Sequence, residues 1–274
     1  MRITLASIDH HTIADAFNAV YDGYVIPVHV DDSWAEQHVS STDIVLADSP
    51  LWLDADGAII AMAMLGVRAD RAWLGGFGIA PPYRGRGLSH QLIHEVIERG
   101  RRLRLREIVL EVITTNTAAI RTYQRAGFTH HRDLLILQRK PNGHTPDVDT
   151  TAVTTANPAN LLANRPQSAA VPAWQRDHRS LSHDPGLAGL TLGPDDSPLA
   201  MAVYHATGAT VHIADLAATD ANSAQTLLTV LIQRNPTKPI SLINEPDTSN
   251  TLPALNALGW QEVMRQHELI LALE

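Results

Sequence analysis

The chain of 274 residues contains no cysteine. That absence excludes a disulfide scaffold, a thiolate metal site and a cysteine nucleophile. Long apolar runs are also missing: residues 58–67 form one of the longest, with about ten residues, whereas a membrane-spanning helix needs about 20. The N-terminal residues lead directly into Asp9 and His10 without a signal-peptide pattern. We therefore expect a cytoplasmic protein with no membrane association.

Basic residues are scarce and almost exclusively arginine, which accounts for 19 of the 21. The net charge of −8 speaks against a nucleic-acid partner. This charge is uneven, since residues 1–140 carry a net −1 and residues 141–274 a net −7. Seven arginines nevertheless lie between Arg84 and Arg106. A locally cationic segment in an acidic protein indicates an anionic ligand bound there.

Residues 1–140 alternate strand-like and helix-like segments, which predicts an α/β (α+β) fold. Residues 58–68 and 72–80 are predicted to form antiparallel strands in a meander. A helix over 88–103 and a buried strand over 107–114 follow. A second helix over 116–126 ends at Gly127, a residue suited to the left-handed conformation after a helix. Residues 128–138 are predicted to form the strand that closes this sheet.

The chain is predicted to contain two related domains, over residues 1–140 and 173–274. Five prolines and a Thr/Ala/Asn-rich composition favour a linker over 141–172, with a helical turn near residues 160–163. In the second half, Leu242-Ile243-Asn244 followed by Gly259-Trp260 echoes Leu110-Glu111-Val112 followed by Gly127-Phe128. This ordered internal repeat predicts a duplicated fold.

The most informative motif lies between Ile79 and Ser89, where a strand ends, a Gly/Arg-rich turn follows and a helix begins. Gly85 and Gly87 let a ligand approach the backbone, and the first helical amides favour an anion. A P-loop would need a lysine here, and a dinucleotide fingerprint would need glycine at position 90, which is His90. The motif therefore predicts a pyrophosphate site, with a plain surface turn as the alternative.

The wider pattern resembles the GNAT superfamily of N-acetyltransferases. The residues on which this resemblance rests are Ile79-Ala80-Pro81, then Arg84-Gly85-Arg86-Gly87-Leu88-Ser89, Leu110-Glu111-Val112, Asn116, Ala119, Tyr123 and Gly127-Phe128. The resemblance covers roughly residues 1–140. Ser89 departs from the family, which usually has glycine or alanine there.

The resemblance implies a mixed, mostly antiparallel sheet flanked by helices and an acetyl-CoA site without a metal. The backbone of Phe77, Gly78 and Ile79 would pair with the pantetheine arm. The pyrophosphate would be held by Arg84, Gly85, Arg86, Gly87, Leu88 and Ser89. Asn116 would contact the pantetheine, and Tyr123 would lie near the sulfur. Gly75-Gly76 would mark a bulge that separates the strand from the next one.

The implied reaction is direct attack of an amine on the thioester. A backbone N–H near Ile79 would stabilise the developing negative charge, and Tyr123 would protonate the leaving thiolate unless it only packs on the sheet. Glu111 is a candidate general base unless it points outward. Other candidates for the base are Asp133, His130, His131 and, as in tandem acetyltransferases of the enhanced-intracellular-survival type, the C-terminal Glu274. Tyr21, Tyr24 and Trp34 lie in the segment that lines the acceptor pocket of relatives, or simply pack in the core.

The second half lacks the glycine-arginine loop, and Asp215 and Asp220 would repel phosphate there. We expect a degenerate GNAT-like domain without CoA, in a monomer or a homodimer. The acceptor would be a small-molecule amine or a peptide amine, and the acidic second half favours a cationic one. The alternative is a non-catalytic CoA-binding or interaction module that retains the fold.

Overall fold

A computed structural model describes residues 1–143, 149, 151–167 and 169–273. It divides the chain into two compact units: unit 1 comprises Met1–His131 and His267–Glu274, and unit 2 comprises Arg132–Gln266. The predicted division at residues 140 and 173 does not coincide with the boundaries of these two units.

The two units contain twelve strands and eight helices among the described residues, apart from short 3₁₀ turns. The strands are β1 (Arg2–Thr4), β2 (Pro50–Leu53), β3 (Ile59–Arg68), β4 (Arg71–Ile79), β5 (Glu107–Ile113), β6 (Thr129–Arg139), β7 (Val153–Ala156), β8 (Ala188–Leu192), β9 (Ala200–His205), β10 (Val211–Ala218), β11 (Ile240–Pro246) and β12 (Gln261–Ala272). The helices are α1 (His10–Tyr21), α2 (Asp32–Ser41), α3 (Leu88–Arg102), α4 (Thr117–Arg125), α5 (Pro158–Ala163), α6 (His178–Leu181), α7 (Ala221–Arg234) and α8 (Leu252–Ala257).

The sheet of unit 1 has the order β1-β2-β3-β4-β5, followed by the C-terminal part of β12. Its first four strands are antiparallel, and β4 pairs with β5 in parallel. Alternating apolar residues of β4 and β5, such as Leu74 and Leu110, form a core with Leu92 and Val96 of α3. α1 covers the opposite face, so the predicted mixed, mostly antiparallel sheet flanked by helices is confirmed.

Strands β4 and β5 pair over Arg71–Trp73 and Glu107–Val109, where the described pairing between them ends. The register between β3 and β4 shifts next to this point, and Gly75 is the extra residue. A Cβ atom at Gly75 would lie 2.0 Å from the Trp73 ring, so glycine is required there. The predicted bulge is confirmed, and beyond it β4 is free of β5 along Gly76–Ile79 within the described part of unit 1.

Unit 2 repeats this order of elements. Its sheet runs β6-β11-β10-β9-β8-β7, with a parallel β10–β11 pair and antiparallel pairs elsewhere. The β10–β11 pairing covers Val211–Ile213, and the register of β10 shifts just beyond Ile213. The predicted linker over 141–172 is wrong in part, because β7 lies within it and Leu161 is fully buried. Helix α5 agrees with the helical turn expected near residues 160–163.

The closing strand of the first half is the main error of the sequence-based topology. Leu134, Leu135 and Leu137 of β6 pair with β11 in unit 2. The last strand of unit 1 is instead the C-terminal part of β12, where Leu269 is buried and the Leu273 amide donates to the Arg106 carbonyl (2.8 Å). Both segments alternate apolar and polar residues, so hydrophobic patterning does not specify which sheet each one joins.

Over the described ranges, no helix is both long and apolar enough to traverse a lipid bilayer.

Candidate functional site

Unit 1 contains a cavity of about 470 Å³ where β4 ends and α3 and α4 begin. Nine of the predicted cofactor residues line it: Phe77, Gly78, Ile79, Arg84, Gly85, Gly87, Leu88, Ser89 and Asn116. The other two, Arg86 and Tyr123, are not part of the described lining. The structure therefore brings together most of the residues that the resemblance selected.

The glycine loop exposes backbone amides to this cavity. Gly85 and Gly87 both have φ near +75°, a conformation that favours glycine, and a Cβ atom at either position would meet no heavy atom within 4 Å. Gly87 is the N-cap of α3 and supplies no side-chain cap. The first amides of α3 are therefore available to a ligand, and the helix dipole favours an anion there.

The two arginines of the loop are held by backbone carbonyls. The Arg84 guanidinium donates to the carbonyl oxygens of Ile79 (2.8 Å), Val20 (3.1 Å) and Asp22 (2.6 Å). Arg86 donates to the Pro82 carbonyl and lies over the Tyr83 ring, with its central carbon 5.6 Å from the ring centroid. Arg84 thus fastens the end of α1 to the end of β4, in addition to placing positive charge near the loop.

Arg125 is a lining residue that the sequence reasoning missed. It follows Ala118 and Thr122 along one face of α4, and all three line the cavity. Four of the five arginines between 99 and 106, which belong to the predicted cationic segment, are paired with acidic residues, for example Arg102 with Asp48 (2.6 Å) and Arg106 with Asp70 (3.2 Å). The spacing of Arg125 from Ala118 and Thr122, which lie seven and three residues earlier on the helix, was the available signal.

The free edge of β4 carries a polar group at the Phe77 amide. This N–H donates to the Tyr21 hydroxyl of α1 over a long distance of 3.4 Å. The amide lies on the part of β4 beyond its pairing with β5, at an edge where an extended chain can pair with the strand. The sequence reasoning placed the corresponding donor near Ile79.

Tyr123 is buried, with 6% of its surface exposed, between the rings of Phe77 (centroids 5.5 Å apart) and Phe128 (5.8 Å). Burial raises the pKa of this phenol well above its ordinary value, and the neighbouring Tyr21 and Tyr24 raise it further. The phenol is therefore protonated at neutral pH and can act as a proton donor.

Asn116 joins the cavity to α4. Its side-chain oxygen accepts the Ala119 amide (3.2 Å) as the N-cap of the helix. Tyr24 lines the cavity beside it and was outside the predicted cofactor residues. Burial raises the pKa of Tyr24, whereas a hydrogen bond from the Asn116 side chain acts in the opposite direction.

Glu111 lies on the other face of the sheet from Tyr123, because its neighbours Leu110 and Val112 point into the core shared with α3. Its carboxylate accepts a hydrogen bond from the Trp73 indole (2.7 Å). The Trp73 ring lies near that of His38, whose pKa burial lowers to about 4. Glu111 is half-buried and does not belong to the described cavity lining.

The remaining candidates for the base also lie outside the described lining of the cavity. His131 is 3.9 Å from the Glu268 carboxylate, and the His130 ring lies edge-on to the ring of His267. Asp133 accepts a hydrogen bond from Arg265 (3.0 Å) in unit 2. Glu274 lies outside the described residues.

In unit 2, the N-terminus of α7 and the space between β10 and β11 correspond to the open N-terminus of α3 and the separated strands of unit 1. Side chains of unit 2 itself occupy both. Asp220 caps α7 and accepts the Ser223 amide (2.9 Å), so a carboxylate stands where α3 leaves its amides open. Between β10 and β11, the buried Arg176 guanidinium donates to Asp215 (2.8 Å) and Glu245 and to the carbonyls of Leu216 and Asn244. Burial would lower the pKa of Arg176, but Glu245 and Asp215 raise it above its ordinary value.

The segment that contains the glycine loop, the separated strands β4 and β5 and helix α4 matches a known family model. Residues 14–128 match the model of the Acetyltransferase (GNAT) family. The match thus identifies a GNAT family-model domain within this chain. The chain is 28% identical over 126 residues to the spermine/spermidine N(1)-acetyltransferase of Bacillus subtilis, a match that covers 40% of this chain and 82% of the relative.

Solved GNAT structures extend the likeness to the whole chain. A GCN5-related N-acetyltransferase from Sphaerobacter thermophilus matches 100% of this chain and 96% of its own, with a TM-score of 0.71 and 14% identity. A tandem GNAT protein from the clavulanic acid biosynthesis pathway matches 100% of this chain and 98% of its own, with a TM-score of 0.67 and 13% identity. These matches show the fold and agree with a second GNAT-like domain.

Proposed function

We propose that the protein is an N-acetyltransferase that transfers the acetyl group of acetyl-CoA to an amine by direct attack. One observation carries this proposal: a single cavity in the GNAT domain is lined by the glycine loop and by the free edge of β4. An anion-binding loop beside an unpaired strand edge suits a ligand with a pyrophosphate and an extended amide arm.

Acetyl-CoA fits the donors of this cavity. The amides of the loop from Gly85 to Ser89 bind the pyrophosphate, and Arg84 and Arg86 strengthen the local positive potential. The backbone of Phe77, Gly78 and Ile79 pairs with the pantetheine arm, and Asn116 orients it from the start of α4. Unit 2 binds no CoA, because Asp220 caps the first amides of α7 and Arg176 fills the space between β10 and β11.

The proton transfers are assigned to residues on the two faces of the sheet. The amine forms the new C–N bond while the carbonyl electron pair moves to oxygen, where a backbone N–H of β4 stabilises it. Collapse of this intermediate breaks the C–S bond, and Tyr123 protonates the departing sulfur. Glu111, on the opposite face, accepts the proton that the amine loses.

The proposed acceptor is a cationic small-molecule amine, such as a polyamine. Residues 141–274 carry a net charge of −7, which raises the local concentration of cations. The relative from Bacillus subtilis that is named as a spermine/spermidine acetyltransferase supports the same class.

Thiol release on incubation with acetyl-CoA tests this function. The protein is mixed with acetyl-CoA and spermidine, spermine, an aminoglycoside or a lysine-containing peptide, and CoA is measured with a thiol reagent. We expect the polyamines to be acetylated. Tight CoA binding without turnover of any amine would instead support a non-catalytic CoA-binding module.

Gly87→Glu tests the loop. We expect CoA binding to be lost, because a carboxylate would replace the open amides as the neighbour of the pyrophosphate. The strain of a non-glycine residue at φ +75° costs about 1–2 kcal/mol and leaves the protein folded. Calorimetric titration with CoA measures the effect.

Gly208→Glu is the matched control, because Gly208 in unit 2 also has a positive φ (+85°), and a Cβ atom added there would meet no heavy atom within 4 Å. It should bind CoA as the parent does. Equal CoA affinity of the Gly87→Glu variant and the parent would refute the assignment of the loop.

A further inference from the structure

Trp73 is a buried tryptophan of β4 that has no role in the proposed reaction, and 2% of its surface is exposed. Its Cα atom pairs with that of Val109, the last residue of β5 in the described β4–β5 pairing. Glu111 lies two residues beyond Val109 and therefore on the same face of the sheet. Trp73 thus belongs to the last pair of the two strands, and Glu111 lies where the opening between them begins.

The indole of Trp73 reaches from this last pair to Glu111. Its Nε1–H donates to the Oε2 atom of Glu111 (2.7 Å). The six-membered ring on the other side of the indole lies over the bulge residue Gly75, where an added Cβ atom would come within 2.0 to 2.6 Å of three ring carbons. The indole therefore reaches the carboxylate only because Gly75 has no side chain.

The indole is also held from the side of α2. The His38 ring lies next to it, with centroids 5.7 Å apart, and stacks on the Trp34 ring at 4.4 Å. Burial lowers the pKa of His38 to about 4, so this imidazole is uncharged at neutral pH. A hydrogen-bond donor that packing holds in this way fixes the orientation of the carboxylate that accepts from it.

We propose that Trp73 is a positioning residue that holds the Glu111 carboxylate in the orientation for accepting the amine proton. This inference rests on the proposed function, in which Glu111 is the base. As the amine forms the C–N bond, its N–H bond breaks and the proton passes to a carboxylate oxygen of Glu111, which later releases it to solvent. Trp73 keeps its own N–H throughout, because an indole nitrogen only donates.

Trp73→Phe tests this contact, since phenylalanine keeps an aromatic ring beside Gly75 and lacks the N–H. With the best amine substrate of the parent, we expect kcat to fall about tenfold and the KM for acetyl-CoA to stay unchanged. The hydrogen bond favours the carboxylate over the protonated acid, so its loss should move the acidic limb of the kcat–pH profile up by about one pH unit. His38 is uncharged above about pH 5, and Glu107, the other carboxylate on this face of β5, is paired with Arg71, so neither accounts for this shift.

Trp52→Phe is the matched control. Trp52 of β2 is also buried, and its indole donates to the Glu95 carboxylate of α3 (2.9 Å). It packs in the core on the α3 side of the sheet, the face opposite to Glu111. The substitution thus removes the same kind of hydrogen bond and the same part of a ring. We expect the acidic limb and kcat to stay at the parent values.

Two further variants connect the contact to the base. Glu111→Gln retains an oxygen that accepts the indole N–H but cannot take up the amine proton, so adding Trp73→Phe to it should lower kcat less than about twofold further. Gly75→Ala retains the indole and displaces it, because the added Cβ atom takes the place of the ring. It should move the acidic limb in the same direction as Trp73→Phe.

The outcomes separate this inference from the proposed function. If Trp73→Phe leaves the acidic limb unchanged, or Trp52→Phe moves it equally, the inference is wrong and the proposed acetyl transfer stands. The same holds if Glu111→Gln retains the kcat of the parent. If the parent acetylates none of the tested amines, both are wrong. Circular dichroism checks the fold of each variant, and Gly75→Ala decides the question if Trp73→Phe does not fold.

Discussion

At the scale of single residues, burial determines what each tyrosine of the site can do. Tyr123 is enclosed by Phe77 and Phe128, and the resulting rise of its pKa keeps the phenol protonated. A leaving thiolate needs a donor that is still protonated under working conditions. The environment of Tyr123 thus matches the role of acid better than that of base.

We expect Tyr123→Phe to lower kcat about 100-fold and to change the Kd for CoA little, since only the proton donor is removed. In the parent, deprotonation of this group should cause no fall of kcat between pH 8 and 10, because its pKa lies well above 10. Steady-state rates over this pH range measure both effects. Tyr204→Phe, at a buried tyrosine of unit 2, is the control, and an equal loss in the two variants would contradict the role.

Several site residues could be predicted from the sequence because their chemistry is local. Gly85, Gly87 and the start of α3 lie within one short segment, and Asn116 caps the helix that it precedes. The place of Tyr24 on the cavity wall could not be predicted in this way, because the residues that follow α1 and the residues at the start of α4 line the same cavity although they are far apart along the chain.

At the scale of elements, Arg84 connects α1 to β4 through carbonyl oxygens 5, 62 and 64 residues away. Every residue has a backbone carbonyl, so the sequence does not show which ones accept hydrogen bonds from Arg84. The arginine was therefore predicted to act through its charge alone. The structure adds a second contribution, because the planar guanidinium with its several N–H donors holds the end of α1 against the end of β4.

Arg84→Lys separates these two contributions, since lysine keeps the charge and loses the fork. We expect CoA affinity to fall about tenfold, in line with the loss of one or two hydrogen bonds. Arg86→Lys should change the affinity less than about threefold, because Arg86 donates to the single carbonyl of Pro82 among the described contacts. Equal effects of the two substitutions in a CoA titration would show that charge alone matters.

The bulge at Gly75 could be predicted from the glycine pair, whereas the sheet membership of β6 and β12 could not. Leu135 and Leu137 alternate in β6 just as Leu269 and Leu271 do in β12. Either segment satisfies the apolar face of either sheet, so local patterning leaves the choice open. Long-range packing decides it.

At the scale of the whole molecule, the repeated fold serves two different purposes. Unit 1 keeps its β4–β5 opening accessible to a cavity, whereas unit 2 fills its β10–β11 opening with Arg176 and two carboxylates. The duplication was predicted from the echo around Gly127 and Gly259. The buried ion pairs were not, because Arg176, Asp215 and Glu245 lie on three separated segments.

Arg176→Met should lower the free energy of unfolding by about 3–5 kcal/mol, because Glu245 would be left as a buried charge without its partner. Protonation of that carboxylate removes the uncompensated charge, so the deficit should shrink as the pH falls from 8 to 5. Urea unfolding at the two pH values measures this change. Glu245→Gln in the same variant should recover part of the loss, and a deficit independent of pH would contradict the explanation.

The placement of β12 also has a consequence for how the chain folds during synthesis. Thr129 and Ile270 hydrogen-bond within unit 1 although 141 residues separate them. At typical translation rates, roughly 10 to 30 s pass between the emergence of these two residues from the ribosome. During that interval the edge of β5 has no partner strand, so the nascent unit 1 exposes backbone donors and acceptors that can pair with another chain.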